Sequence, residues 1–199
     1  MDEVATGRGA TRVLVVGLVA LALVDPTATG ATSRQGVDVI GSVTLYPAPA
    51  IARELTAWSL GRFEKAGLST PAIEVLFHPD AAGCGGHLGL ARSRRVDLCV
   101  RGAMEPGPQR IVLHEFAHVW IADNGDTFMR RRFLAFRALA SWFDPNDPWK
   151  ARGVEQAAEI VAWGLGDGSM LPMINGVTDR PALASAFRLL TGSTPLRPT

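Results

Sequence analysis

The segment that most constrains this chain is the pentapeptide HEFAH at positions 114–118, an H-E-x-x-H motif inside an apolar run. The pattern predicts an α-helix, on which residues four apart lie on the same face, one turn above the other. His114 and His118 can therefore place two imidazole nitrogens on one metal ion. Glu115 is offset from them and can take a proton from a water molecule at the metal's open position. The motif predicts a metal site with hydrolytic chemistry.

The size and charge of the chain narrow the remaining possibilities. Its 199 residues suggest one domain once a leader is removed, and 47% hydrophobic residues can build a sizeable core. With a formal net charge of +1, the protein has no strong electrostatic field that would attract nucleic acid or an anionic membrane surface. We therefore expect no nucleic-acid partner.

The N-terminal segment has the composition of a secretory signal peptide. Arg8 and Arg12 precede the uninterrupted apolar run Val13–Val24, and a proline and several small residues follow it. We predict a signal peptide over residues 1–30 and a single domain over residues 31–199. The alternatives are a membrane anchor or a buried N-terminal helix, although a bilayer span needs about 20 residues. We expect a secreted or extracytoplasmic protein that meets the membrane only if this segment stays uncleaved.

The chain has two cysteines, Cys84 and Cys99. In an oxidising compartment an even number of cysteines favours a disulfide, and two buried free thiols are the alternative. No C-x-x-C pair accompanies them, so we do not expect them to bind the metal.

Before the motif, the hydrophobic pattern predicts several strands and one helix. A glycine-rich stretch over residues 82–90 lacks the spacing of a phosphate-binding loop, and its glycines are expected to let the backbone turn tightly or approach another chain. The predicted elements are a strand over 37–46, a helix over 50–66, a strand over 73–77 and a hairpin of strands 88–91 and 96–100.

From the motif onward the pattern is helical. The predicted helices cover residues 109–122, 127–143, 151–165 and 181–190. The order of elements predicts an α+β fold, in which a small, mostly antiparallel sheet packs on the motif helix and the C-terminal half is helical.

A catalytic zinc ion usually has three protein ligands, so a third must come from elsewhere. The metzincin spacing would need a glycine at 121 and a ligand at 124, where this chain has Ile121 and Asn124; the offset Asp123 is a lesser alternative. Glu155 and Glu159 are four apart on a predicted helix and share a face. One carboxylate can bind the metal, and the other can accept the N–H of a ligating histidine.

H-E-x-x-H followed downstream by E-x-x-A-E at 155–159 resembles the gluzincin metallopeptidases, and most of all the lethal-factor type, over roughly residues 50–165. The resemblance implies a zincin-like fold, a Zn²⁺ cofactor and a peptide or protein substrate. It implies that His114, His118 and Glu155 are the zinc ligands and Glu115 the general base. Glu159 would orient a ligating histidine.

The chain departs from the gluzincin pattern in one respect. Gluzincins commonly use a tyrosine or histidine downstream of the motif to stabilise the oxyanion, and this chain has neither after His118. His87 lies beside the expected edge strand, where substrate would align by strand addition, and is a candidate catalytic residue. His78, Tyr46 and several arginines are further candidates, and backbone N–H groups or the metal alone could also serve.

These observations predict an exported zinc-dependent metallopeptidase that hydrolyses peptide bonds by a zinc-activated water with Glu115 as general base. The alternative is a non-catalytic secreted or surface-attached binding protein that keeps a zincin fold and a structural metal. A metal site open to a cleft would favour the enzyme, and a closed one would favour the binding protein.

Overall fold

The computed structural model describes residues 37–46, 49–99, 106–167 and 170–196. The predicted signal peptide over residues 1–30, with its apolar run Val13–Val24, lies outside the described residues. Among the described helices, none combines the length and hydropathy needed to cross a bilayer.

Strands and one helix make up the first half of the described chain, and helices make up the second. The strands are β1 (Asp38–Ile40), β2 (Val43–Tyr46), β3 (Ile73–Phe77), β4 (Gly89–Arg92) and β5 (Arg95–Leu98). The helices are α1 (Ala50–Lys65), α2 (Pro106–Asn124), α3 (Thr127–Arg137), α4 (Gly153–Leu165) and α5 (Arg180–Thr191). The protein is thus of mixed α and β structure, in agreement with the α+β prediction at that level.

The five strands form one sheet in the order β1-β2-β3-β5-β4. The β1–β2 and β4–β5 pairs are antiparallel, whereas β2–β3 and β3–β5 are parallel. The prediction of a mostly antiparallel sheet is therefore wrong. The reason is connectivity: α1 crosses over between β2 and β3, and the β4–β5 hairpin places its second strand beside β3. As a result, β4 lies at an edge of the sheet.

The segment predicted as one strand over residues 37–46 is a hairpin of β1 and β2. The chain reverses at Gly41 and Ser42. Gly41 has a φ of +56°, a left-handed conformation that favours glycine because it has no Cβ. The loose alternation on either side of this glycine therefore belongs to two short strands.

The core lies between the sheet and the helices. Alternate residues of the three central strands are buried: Val43, Leu45, Ile73, Val75, Val96 and Leu98. Helix α4 packs against α2, and every residue from Gln156 to Gly166 is buried. A helix that is enclosed on all sides occupies the interior of the molecule. The two carboxylates of the E-x-x-A-E segment thus belong to a central helix.

Helix α3 ends at Arg137, six residues before the predicted end at 143. Ala138 takes a left-handed conformation, and the N–H of Leu139 donates to Leu134 O at 2.9 Å, which is a Schellman ending. Leu139 and Trp142 then pack against the core from irregular chain. The apolar spacing continues past the helix because these partly buried residues contact the core from irregular chain.

Arg62 of α1 holds the C-terminal end of α4. Its Nε donates to Leu165 O, and its Nη2 donates to Gly166 O at 2.8 Å. Because a cation there satisfies terminal carbonyls and favours the helix dipole, we expect Arg62→Met to lower the free energy of unfolding by about 1–2 kcal/mol. Urea denaturation measures the loss. Arg53→Met is the control, since Arg53 makes an exposed ion pair with Asp38 that should contribute less; equal losses would contradict the role of Arg62.

The predicted disulfide is present. Cys84 ends a 3₁₀ turn, and Cys99 follows β5, so the bond fastens the segment before β4 to the end of its partner strand. The bond spans 15 positions, and on the chain-entropy model we expect Cys84→Ser/Cys99→Ser to lower the free energy of unfolding by about 3 kcal/mol. Wild type unfolded under reducing conditions should show the same loss. An unchanged urea midpoint in both samples would mean that the unfolded chain is not constrained by this bond.

Candidate metal centre

Three potential ligand atoms from α2 and α4 converge where the two helices face each other. The Nε2 atoms of His114 and His118 are 3.0 Å apart. Glu155 Oε2 lies 3.2 Å from the first and 3.1 Å from the second. Within the described residues this group could hold a metal ion. The structure therefore brings together the three residues that the sequence suggested as ligands.

The facing residues of α2 and α4 are in register. On each helix the two relevant residues are four apart, and therefore on one face. Glu155 reaches both histidines, while Glu159 Oε1 lies 3.0 Å from His114 Nδ1, although the angle at that nitrogen falls short of a regular hydrogen bond. His114 is thus flanked by a carboxylate on each ring nitrogen. This is the environment expected for a ligating histidine whose second nitrogen is oriented by an acid.

Glu159 is itself fixed by two further contacts. Its side chain is 1% exposed. Arg110 Nη1 donates to Oε1, and the backbone N–H of Met173 donates to Oε2 at 2.8 Å. A nearly buried carboxylate with both oxygens engaged has little freedom to turn.

Glu115 lies beneath the edge strand. It is 7% exposed, and the backbone N–H of Ala91 donates to its carboxylate. A Cβ on Gly89 would come within 2.6 Å of Glu115 Oε1, so β4 approaches this close only because residue 89 is glycine. The positive φ of Gly85 and Gly86 confirms the expected tight turn in the 82–90 stretch, and the close approach at Gly89 is to Glu115 of the same chain.

The two glutamates of the cluster have opposite electrostatic environments. Burial raises the pKa of Glu115, and the charge of Glu155 adds to this, against the histidines and the Ala91 N–H. Burial would also raise the pKa of Glu155, but hydrogen bonds and charges from His114 and His118 outweigh it and hold that pKa well below its usual range. Glu155 is therefore a carboxylate at neutral pH, as a metal ligand must be, and Glu115 is biased toward holding a proton.

His114 should make metal binding pH-dependent. Burial would lower its pKa, but Glu155 and Glu159, with the charge of Glu115, outweigh burial and raise the pKa to about 9. A metal must displace this proton, so apparent affinity should rise about tenfold per pH unit between pH 6.5 and 8.5. In the metal-free protein, the protonated His114 stabilises the folded state. This contribution to the free energy of unfolding is fully present below pH 6.5 and is lost as pH rises through 9.

Calorimetric titration of metal into the protein, in buffers of different ionisation enthalpy, measures this exchange. We expect about one proton released from this imidazole per ion bound at pH 7.5. The matched variant is Glu159→Gln, which should release fewer protons because the pKa of His114 falls. Identical release from both proteins would rule out Glu159 as a determinant of that pKa.

A cavity of about 790 Å³ opens on the cluster. Its lining includes Glu115, Glu155 and the exposed loop histidine His87. The other residues considered from sequence lie elsewhere: His78 Nε2 is 2.7 Å from Asp97 Oδ1, and Asp123 pairs with Arg94. Tyr46, at the end of β2, is not part of the lining. Of the three candidates His87, His78 and Tyr46, His87 alone therefore lines the cavity, and among the arginines Arg110 and Arg152 also line it.

Three contacts around the cluster were not expected from the sequence. Arg110 and the N–H of Met173 hold Glu159, and the ring of Trp149 lies with its centroid 5.7 Å from that of His114. Arg110 could have been found, since it precedes His114 by four positions and shares its helix face. Trp149 and Met173 come from irregular segments whose position no local pattern specifies.

Comparison of the chain with protein-family models, with curated proteins and with solved structures finds no match to it.

Proposed function

We propose that this protein is an exported zinc-dependent metallopeptidase with a zincin-like fold of the gluzincin type. The observation that carries the proposal is the convergence of His114, His118 and Glu155 beside a buried glutamate, Glu115, at an open cavity. A metal-ligand group, an adjacent general base and room for a substrate are the parts that metal-assisted hydrolysis needs.

The donor set fits zinc. Two imidazole nitrogens and one carboxylate oxygen are a common set of catalytic zinc ligands. Zinc bonds of about 2.0–2.1 Å in tetrahedral geometry place ligand atoms roughly 3.3–3.4 Å apart. The separations of 3.0, 3.1 and 3.2 Å here are close to that spacing. When bound, zinc polarises a carbonyl and lowers the pKa of water to about 7.

Glu115 would perform the proton transfers. It accepts the proton of the attacking water and then donates it to the leaving amine as the C–N bond breaks. The Ala91 N–H orients its carboxylate, and burial raises its pKa toward the range that suits a residue acting in turn as base and acid. Glu159 would hold His114 in position through Nδ1.

Substrate would bind along β4. In the described residues this strand has a partner on one side only. Because the N–H of Cys99 bonds Leu88 O, the next residue, Gly89, directs its own N–H and C=O away from β5. A peptide could therefore add as a further strand, with its scissile carbonyl over the cluster. His87, at the entrance to β4, is the proposed donor to the oxyanion.

The open cavity supports catalysis over the alternative of a structural metal in a binding protein. A structural zinc site is closed by protein ligands, whereas this group supplies three ligand atoms and borders free volume. The disulfide supports export, because such bonds persist mainly in oxidising compartments.

Elemental mass spectrometry and a cleavage assay on one preparation test the proposal. We expect about one zinc ion per chain, and cleavage of a mixed peptide library that a chelator abolishes and added zinc restores. Absence of tightly bound metal would reduce the motif to a coincidence. One zinc per chain without cleavage of any peptide would favour the binding protein.

A further inference from the structure

We infer that Arg110 is a positioning residue, which fixes the ligand His114 through Glu159. The inference rests on the proposed metal site, and it assigns a role to a residue outside the H-E-x-x-H and E-x-x-A-E segments. It requires that the arginine act on metal affinity without touching the metal.

The contacts run in a line from the arginine to the ligand. Arg110 Nη1 donates to Glu159 Oε1, and this same oxygen lies 3.0 Å from His114 Nδ1. If Nδ1 holds the ring proton against that oxygen, Nε2 is left with a lone pair directed at Glu155 and His118. In the proposed arrangement, the position of this oxygen opposite Nδ1 favours the tautomer of His114 in which Nε2 can bind a cation.

The contacts between α2 and α4 repeat at each helical turn. Arg110, His114 and His118 are successive turns of one face of α2, and Glu159 and Glu155 are successive turns of one face of α4. Arg110 meets Glu159, His118 meets Glu155, and His114 lies between the two carboxylates. Arg110 therefore lies one turn before His114 on the face of α2 that carries the proposed ligands. At that position it presents a guanidinium cation to Glu159.

Burial distinguishes this pair from an ordinary surface ion pair. The Glu159 side chain is 1% exposed and that of Arg110 is 23% exposed. Without the guanidinium, the regular hydrogen bond left to Glu159 would be the one from the Met173 N–H, which is on its other oxygen, beside the looser contact with His114 Nδ1. The carboxylate could then rotate about that contact, and Oε1 would no longer be held opposite Nδ1. Surface pairs contribute little, but removing one partner of a buried pair leaves a charge uncompensated.

The experiment measures zinc affinity by competition with a chromophoric chelator, on the full chain and its variants. Outer-shell partners of a ligand typically affect metal affinity 10–100-fold, so we expect Arg110→Met to weaken zinc binding by about that factor. Arg110→Lys should lose less, because it keeps the charge. Glu159→Leu should lose at least as much as Arg110→Met, and the double variant no more than Glu159→Leu alone. The absorption spectrum of the Co²⁺-substituted protein should shift in Arg110→Met.

Arg62→Met is the matched control, since Arg62 also binds α4 but at its far end. It should lower stability in urea and leave zinc affinity unchanged. Wild-type affinity in Arg110→Met, or additive losses in the double variant, would overturn the inference. So would a change confined to the KM for peptides, since that would make Arg110 a substrate contact. No zinc binding by wild type would instead refute the proposed metal centre itself.

Discussion

Glu115→Gln should lower the rate of peptide cleavage by about 10²–10⁴-fold while leaving the zinc content unchanged. Glutamine has nearly the same shape, and its oxygen can still accept the Ala91 N–H, so the packing beneath β4 should survive. An amide can neither take the proton of the attacking water nor pass it to the leaving amine, so only these proton transfers are removed. Single-turnover cleavage and elemental analysis of one preparation measure the two quantities together.

Glu74→Gln is a suitable control, because Glu74 is an exposed residue of β3 and takes no part in the cavity lining. It should cleave peptides at the wild-type rate. Full activity in Glu115→Gln at normal zinc content would exclude Glu115 as the general base. Loss of zinc from that variant would show that its carboxylate helps to hold the ion.

Glu155→Gln should weaken zinc binding by more than the roughly 10–100-fold typical of residues outside the ligand shell. Glu155 Oε2 is the only carboxylate oxygen in the three-residue ligand group, and the low pKa of Glu155 keeps it charged at neutral pH. The amide that replaces it has no charge to offset that of the cation. Chelator competition gives the affinity, and cleavage should be restored only at high added zinc.

Glu159→Gln is the matched variant, one turn further along the same buried helix. We expect it to lose less affinity than Glu155→Gln. If Glu159→Gln lost more, the roles of the two glutamates would be exchanged. Equal and small losses of zinc affinity in both variants would mean that the third ligand is another residue. Asp123 would then be tested next, despite its ion pair with Arg94.

The sequence predicted the parts of this site that depend on local periodicity. The spacing of His114 from His118, and of Glu155 from Glu159, needs only that each segment be helical, and both are. That the two faces meet depends on the packing of α4 against α2, and in the structure they do meet. The cysteine pair likewise needed only an even count and a suitable compartment.

The parts that sequence reasoning missed depend on tertiary contacts. The parallel pairing of β3 with β5 follows from which hairpin strand docks on the sheet, and neither strand's pattern specifies that. The end of α3 at Arg137 could not be predicted from the apolar spacing, which continues through Trp142, because an apolar residue that contacts the core gives the same sequence pattern in a helix and in irregular chain. Trp149 beside His114 is a contact of the same kind.

The facing residues of α2 and α4 are far apart along the chain: His118 and Glu155 by 37 positions, Arg110 and Glu159 by 49. Only folding brings them together, and an extended chain offers a cation little more than a pair of histidines. If the protein crosses a membrane unfolded, as the predicted signal peptide would imply, it would arrive without its ion. The metal would then be acquired from the medium outside, after α2 and α4 have packed together. The supply of the metal there would decide how much of the secreted protein is active.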